Sequence, residues 1–200
     1  MLAAGVWAAV HRTLLNWLGL LDAIVWERAS VDSTSVRAKR GGEATGPNPT
    51  DRGKAGSKYH LLVDGHGVPL ASGLSAANTH DSRLLEPLVD AVRPIWRPVG
   101  EPGRPRRRPG KLHGDKGYDY PALRRARRRR GIVPRIARRG VGSSERLGRH
   151  RWTVERTLAW VLAFRRLTVR YDRHAASVLA FLHLACALIC LRFLRRAEAE

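Results

Sequence analysis

Trp7, Val10, Leu14, Trp17 and Leu21 recur at spacings of three and four near the start of the chain. Such a stripe predicts an amphipathic helix that buries this face. The next segment, AIVWERASVDSTSVRAK, is rich in Val, Ile, Ser and Thr and reads as a strand. GGEATGPNPTDRGKAG is Gly, Pro, Asn and Thr punctuation and predicts a loop. KYHLLVD and VPLASGLS flank DGHG, the pattern of a β-hairpin turning at residues 64–67. Leu84, Leu85, Leu88, Val89 and Val92 then mark the buried face of a helix, with Asp81 as its N-cap, Pro87 as an irregularity and Pro94 beyond its end.

The second half alternates. Residues 97–110 hold four Pro, three Gly and five Arg, too little apolar surface to pack, and predict a flexible basic loop. KLHGDKGYD reads as a short strand ending in a turn, and IVPRIA as another. Between them a helix carries Arg124, Arg125 and the run 127–130. HRWTVERTLAWVLAFRRL is amphipathic at helical spacing, and an apolar helix closes the chain. Early strands followed by alternating strands and helices predict an α/β domain with a mixed sheet.

Composition narrows the partners. With 37 Lys and Arg against 17 Asp and Glu, the net charge is +20, which points to a polyanion such as nucleic acid. A merely soluble, Arg-rich surface is the bland alternative. Hydrophobic residues make up 44% of the chain, enough for one domain with a core. Cys186 and Cys190 lie one helical turn apart in an apolar run and read as buried thiols in a reducing compartment. Residues 175–191 reach only the short limit for a membrane span and include His183, so they read as a core helix. No secretory signal is recognisable at the start.

Between residues 102 and 197 the carboxylates are Asp115, Asp119, Glu145, Glu155 and Asp172. Asp32 interrupts a strand, where Asp is disfavoured. Asp115 stands where the apolar lead of KLHGDKGYD gives out, at a strand end. Glu155 sits mid-helix at the edge of the apolar face, four residues after Arg151. Each has an ordinary reading as a strand-edge, turn or helix-pair acid. Together they form an oxygen donor set able to converge on a hard cation, and two such ions about 3.5–4 Å apart can clamp an in-line phosphoryl transfer.

VDSTSVRAKRGGEATGPNPTDRGKAGSKYHLLVDGHGVPLA, ANTHDS, KLHGDKGYD and GRHRWTVERTLAWVLAFRRLTVRYDR, in this order, resemble the transposases of insertion-sequence family five, related to family four. The resemblance runs from about Asp22 to Leu194. It implies an RNase H-like mixed sheet flanked by helices. It implies a DDE triad as well: the VDSxSVRA strand supplies Asp32, the HxDKxYD motif Asp115 and the VER helix Glu155. These three would bind Mg²⁺, with Mn²⁺ as a substitute, and drive cleavage of element ends and joining to target DNA. The family's YREK motif matches at Arg151 and Glu155, whereas Gly148 and Leu162 stand at its Tyr and Lys positions. Asp119 and Glu145 become supporting or loop residues.

On this reading residues 1–22 are the remnant helix of an N-terminal segment, and residues 23–196 the catalytic domain with its loop at 97–110. An upstream reading frame would supply an end-recognition segment. Expected DNA contacts are Arg151, Lys54, Lys58, Lys116, Arg124, Arg125, Arg127 and Arg128. Trp152 and Trp160 are expected in the core, and His60 as a plain strand residue. The protein would act in the bacterial cytoplasm as a homo-oligomer on DNA, with no membrane. The alternatives are a catalytically inactive DNA-binding remnant or regulator, a nuclease or resolvase without strand transfer, and an RNA-binding protein.

Overall fold

The computed structural model describes residues 4–138, 140 and 145–199. The chain runs through α1 (Ala4–Leu20), β1 (Arg28–Arg37), β2 (Gly46–Pro47), β3 (Ala55–Asp64), β4 (Pro69–Ala76), α2 (Ser82–Ala91), β5 (Lys111–Gly114), a 3₁₀ turn (Lys116–Tyr118), α3 (Pro121–Arg129), β6 (Val133–Ile136), α4 (Glu145–Leu162), α5 (Arg165–Thr168) and α6 (Ala175–Ala197). β1, β3 and β4 form an antiparallel meander, and β5 and β6 extend the other edge of β1 in parallel. The order across the sheet is β4-β3-β1-β5-β6. β2 falls within the predicted loop and adds two residues to the free edge of β3.

Strand alternation sends successive side chains to opposite faces, and each face has its own core. Ala29, Val31, Leu62 and Leu112 pack with Leu14 and Leu18 of α1, Leu85 and Leu88 of α2, and Tyr118. Val36, Tyr59, Leu61 and Val63 pack with Val154, Leu158 and Val161 of α4 and Leu167 of α5. α6 serves both cores: Ala187, Cys190 and Leu194 join the first, and Val178, Leu182, Cys186 and Ile189 the second. It is long and apolar enough to cross a membrane, and its length and composition say no more than that. Both cysteines are buried free thiols, and burial pushes Cys186 up to about 12.

α1 forms where the periodicity places it but turns a different face inward. His11, Leu14, Leu15 and Leu18 are buried, whereas Val10, Trp17 and Leu21 of the expected stripe are exposed. Both sets have helical spacing, so the pattern alone could not choose between them. Two contacts decide it. The buried His11 Nε2 lies 2.7 Å from the Pro69 carbonyl oxygen, and a Cβ at Gly19 would come within 2.3 Å of the Trp96 carbonyl oxygen.

The long helix read through Leu167 stops at Leu162. Phe164 is extended, and the Thr168 hydroxyl turns back to donate to the Leu162 carbonyl at 2.7 Å, satisfying an end that would otherwise be open. Residues 97–110 carry internal pairing. Ile95 and Arg106 form a bridge, and Glu101 accepts from Arg97 at 2.6 Å and from Arg106 at 3.0 Å.

Candidate active site

β1 and β5 pair in parallel with Ser30 opposite His113. Asp32 and Asp115 each follow that last paired position by two residues, Asp32 within β1 and Asp115 just past the end of β5. β5 ends at Gly114, and the Asp115 carboxylate accepts from the Gly117 N–H at 2.9 Å, so it caps the 3₁₀ turn that leads the chain away. β1 continues, paired only to β3. β5 therefore stops while β1 runs on, and both aspartates stand where the two strands part. In α/β sheets such carboxyl ends are where ligands bind. The Asp32 carboxyl is held above the usual range, first by burial and in part by the charge of Asp115; the Ser33 N–H and Arg151 pull the other way.

α4 crosses this face and is tied down at its first turns. The Ser30 hydroxyl donates to the His150 carbonyl at 3.0 Å, and the Arg28 guanidinium to His150 Nδ1 at 2.9 Å. Arg cannot accept, so Nδ1 here is the acceptor. The rings of His113 and His150 lie 4.9 Å apart, and burial lowers His113 to about 4. These ties bring Arg151 over Asp32. Its Nη2 lies 3.4 Å from Asp32 Oδ2 and 3.2 Å from Glu155 Oε1. The guanidinium thus joins the strand acid to the helix acid. Among the described residues no three His, Cys, Asp or Glu side chains are grouped closely enough to hold a metal as they stand.

Beside Asp32 on the strand, Ser33 is held by an acid that the sequence placed at a helix cap. Asp81 has helical backbone angles, and its side chain makes no cap hydrogen bond. Instead Oδ1 accepts from the Ser33 hydroxyl and from Lys58 Nζ, both at 2.9 Å. Ser33 is the neighbour of Asp32, so Asp81 fastens the strand one residue from Asp32. Tyr118, buried below, has its hydroxyl held un-ionised by burial and by Asp81, Asp32 and Asp115 together. Nothing in the THDS stretch distinguishes a cap from a side chain reaching back to the sheet.

Residues 27–190 match the family described as the transposase DDE domain. The chain belongs to this transposase family. It is 50% identical over 154 residues, 77% of this chain and 72% of the relative, to a putative transposase for insertion sequence element IS402 of Burkholderia cepacia. A shorter match, 47% identical over 47 residues, covers 24% of this chain and 32% of an uncharacterized 16.2 kDa protein of insertion element IS402 from the same organism. In three dimensions the chain is similar to piggyBac transposase, solved as a synaptic complex with hairpin DNA. The TM-score is 0.53 at 10% identity, over 88% of this chain and 49% of that one, about half its length. That likeness is one of fold, and the transposase sheet described above is RNase H-like.

A DDE transposase works with a divalent metal. Asp32, Asp115 and Glu155 offer only oxygen donors, the set a hard cation takes. Their chemistry fits such an ion, but the three are not grouped to hold one while Arg151 stands between Asp32 and Glu155.

The basic residues expected on DNA divide sharply in this transposase. Arg127 is fully buried and ion-paired with Glu86. Arg124 donates to Asp119 at 2.7 Å and to the Ile136 carbonyl at 2.9 Å. The expectation for Arg127 is corrected by its burial, and Arg124 is partly buried and engaged within the fold: the arginine run is partly a structural brace. Arg130 belongs to the same brace, reaching Asp90 at 2.7 Å. Lys58 is turned to Asp81 and the Thr79 carbonyl. Lys54 is exposed, 3.7 Å from Asp51. Arg125, Arg128 and Lys116 are exposed. Trp152 is half exposed, contrary to the expectation of a core residue, and Arg156 lies over the rings of both Trp152 (4.5 Å) and Trp160 (4.6 Å). His60 is buried, with Nε2 2.8 Å from the Ser75 hydroxyl. The Glu145 side chain lies outside the described residues.

Proposed function

We propose that this DDE transposase cuts the ends of an insertion sequence and joins them to target DNA, using Mg²⁺ held by Asp32, Asp115 and Glu155. The observation that supports it is the placement of Asp32 and Asp115 just past the last paired positions of β1 and β5, with Glu155 linked to Asp32 through Arg151. Once bound, a divalent cation neutralises phosphate oxygens and lowers the pKa of water, which removes the need for a covalent protein–DNA step. The chain's own groups do the rest. Asp32 and Asp115 present oxygens from the rigid sheet, and Glu155 approaches from the helix. Asp81 and Lys58 hold the strand beside Asp32, and the Asp115 carboxylate caps the 3₁₀ turn that follows β5.

Lys54, Lys116, Arg125 and Arg128 are proposed as phosphate contacts, which position DNA without reading sequence. If the surface neutralises about six to ten phosphates, affinity falls roughly 10³–10⁵-fold between about 50 and 200 mM salt. The family-five placement, pairing of two ends by a homo-oligomer and action in the bacterial cytoplasm belong to the same proposal. So does the division into residues 1–22 and a catalytic domain at 23–196.

A non-catalytic DNA-binding role is the second reading. The guanidinium between Asp32 and Glu155 favours it, because it fills the place where the donors would converge. A cleavage and strand-transfer assay on precut element ends separates the two. Under the first reading Mg²⁺ gives cut and joined products, Ca²⁺ does not, and Asp115→Ala abolishes them. Binding without any metal-dependent product supports the second, and products that survive Asp115→Ala refute the triad.

A further inference from the structure

We infer that Arg151 is a built-in counter-ion of the metal-free site, which a divalent cation displaces from between Asp32 and Glu155 when it binds. This rests on the proposed triad. Arg151 Nη2 is shared by the two carboxylates at 3.4 and 3.2 Å, both longer than the usual 2.7–2.9 Å or so of a charge-assisted bond. Neither contact is the two-pronged fork that makes an arginine–carboxylate pair strong. At the other end of the same guanidinium, Nε is buried and has no hydrogen-bond partner. An orphaned buried donor is costly, so this placement is not the one its own hydrogen bonding would choose. It is held there by the negative charge it screens.

That charge is concentrated. Asp32 is mostly buried, its carboxyl feels Asp115, and Glu155 comes down on the same face from α4. Without a cation the charges of Asp32 and Asp115 oppose one another. The guanidinium relieves this with a single positive charge and a flexible stem. An ion of charge +2 with several oxygen ligands does so better. Because both contacts use the same carboxylates the ion needs, the two cations compete. Glu155 is itself half exposed and can follow an incoming ion with little rearrangement.

The competition fixes the sign of a measurement. Mn²⁺ is titrated into the full chain and into Arg151→Gln, Arg151→Lys and Asp115→Ala, with free ion read by electron paramagnetic resonance and folding by circular dichroism. Removing the competitor makes Mn²⁺ bind more tightly in Arg151→Gln, roughly two- to thirtyfold for two partly exposed ion pairs. Arg151→Lys, which keeps the charge, stays closer to the parent. Metal-free Arg151→Gln melts lower than the parent, and saturating Mn²⁺ raises its melting temperature by more. Unchanged or weaker binding by Arg151→Gln, with binding lost in Asp115→Ala, overturns the exchange and leaves the triad standing. Parent-like binding by Asp115→Ala overturns the triad and the exchange with it.

Discussion

Asp32 and Asp64 lie on neighbouring strands, and burial pushes the carboxyl of each above its usual range, yet they are used in opposite ways. Asp64 ends β3 and is completely enclosed. Its Oδ2 accepts from the Val25 N–H at 2.8 Å, and its Oδ1 from the N–H groups of His66 at 2.9 Å and Val68 at 2.8 Å. Three backbone donors occupy it, so it closes the hairpin and ties down the segment that leads into β1. Asp32 has one backbone donor, the N–H of its own neighbour Ser33, and a loosely held share of Arg151. A buried carboxylate held by three backbone donors is a structural staple. One with a single backbone donor that faces a second acid has acceptor capacity to spare, as the proposed metal ligand requires.

The largest contrast is expected when each acid is truncated. Asp32→Ala reduces metal-dependent cleavage by about 10³-fold or more and leaves the metal-free melting temperature close to that of the parent. Asp64→Ala reverses the pattern. It strands three buried N–H groups and costs about 3–5 kcal/mol, so the melting temperature falls steeply while the folded fraction still cleaves. Cleavage assays paired with thermal melts check both. Equal loss of stability in the two variants would erase the distinction.

A smaller effect comes from the histidine beside this sheet. His60 is buried on β3 and lowered to about 4, mainly by desolvation. The unfolded chain therefore takes up a proton near 6.5 that the folded chain refuses, and stability is lost as pH falls from about 6.5 toward 4. Melting curves across this range should show His60→Asn losing less than the parent. Identical pH slopes would contradict the buried neutral histidine.

The smallest effect sharpens the comparison from the other side. The folded pKa of Asp32 is raised, so its contribution to stability is fully present below its ordinary value near 3.8 and is lost as pH rises through the folded value. At pH 7, without metal, Asp32→Asn therefore melts slightly higher than the parent, by roughly 1 kcal/mol or less, and the gain vanishes toward pH 3.8. A variant less stable than the parent at pH 7 would mean that Arg151 satisfies Asp32 more fully than its geometry indicates.

Much of the sheet was legible because strand alternation is local. Val31, Leu61 and Leu62 announce which way each strand faces, and Asp32 is conspicuous because it breaks that pattern. Where partners come from distant segments, local rules failed. Asp64 reads as a turn residue, since Val25, its partner in the segment before β1, is far away in sequence. Asp81 reads as a cap because nothing nearby reveals Ser33 and Lys58. Arg127 reads as surface charge because Glu86, on another helix, neutralises it inside the fold. The face of α1 was ambiguous for the same reason: two stripes share one period, and only packing against α6 and the β4 edge selects between them.

The central claim concerns where a divalent ion sits. Anomalous diffraction from crystals grown with Mn²⁺ tests it most directly. The account predicts an anomalous peak bonded to carboxylate oxygens of both Asp32 and Asp115, with Arg151 withdrawn from Asp32. A peak elsewhere on the chain, with the Arg151–Asp32 pair intact under saturating Mn²⁺, would contradict it.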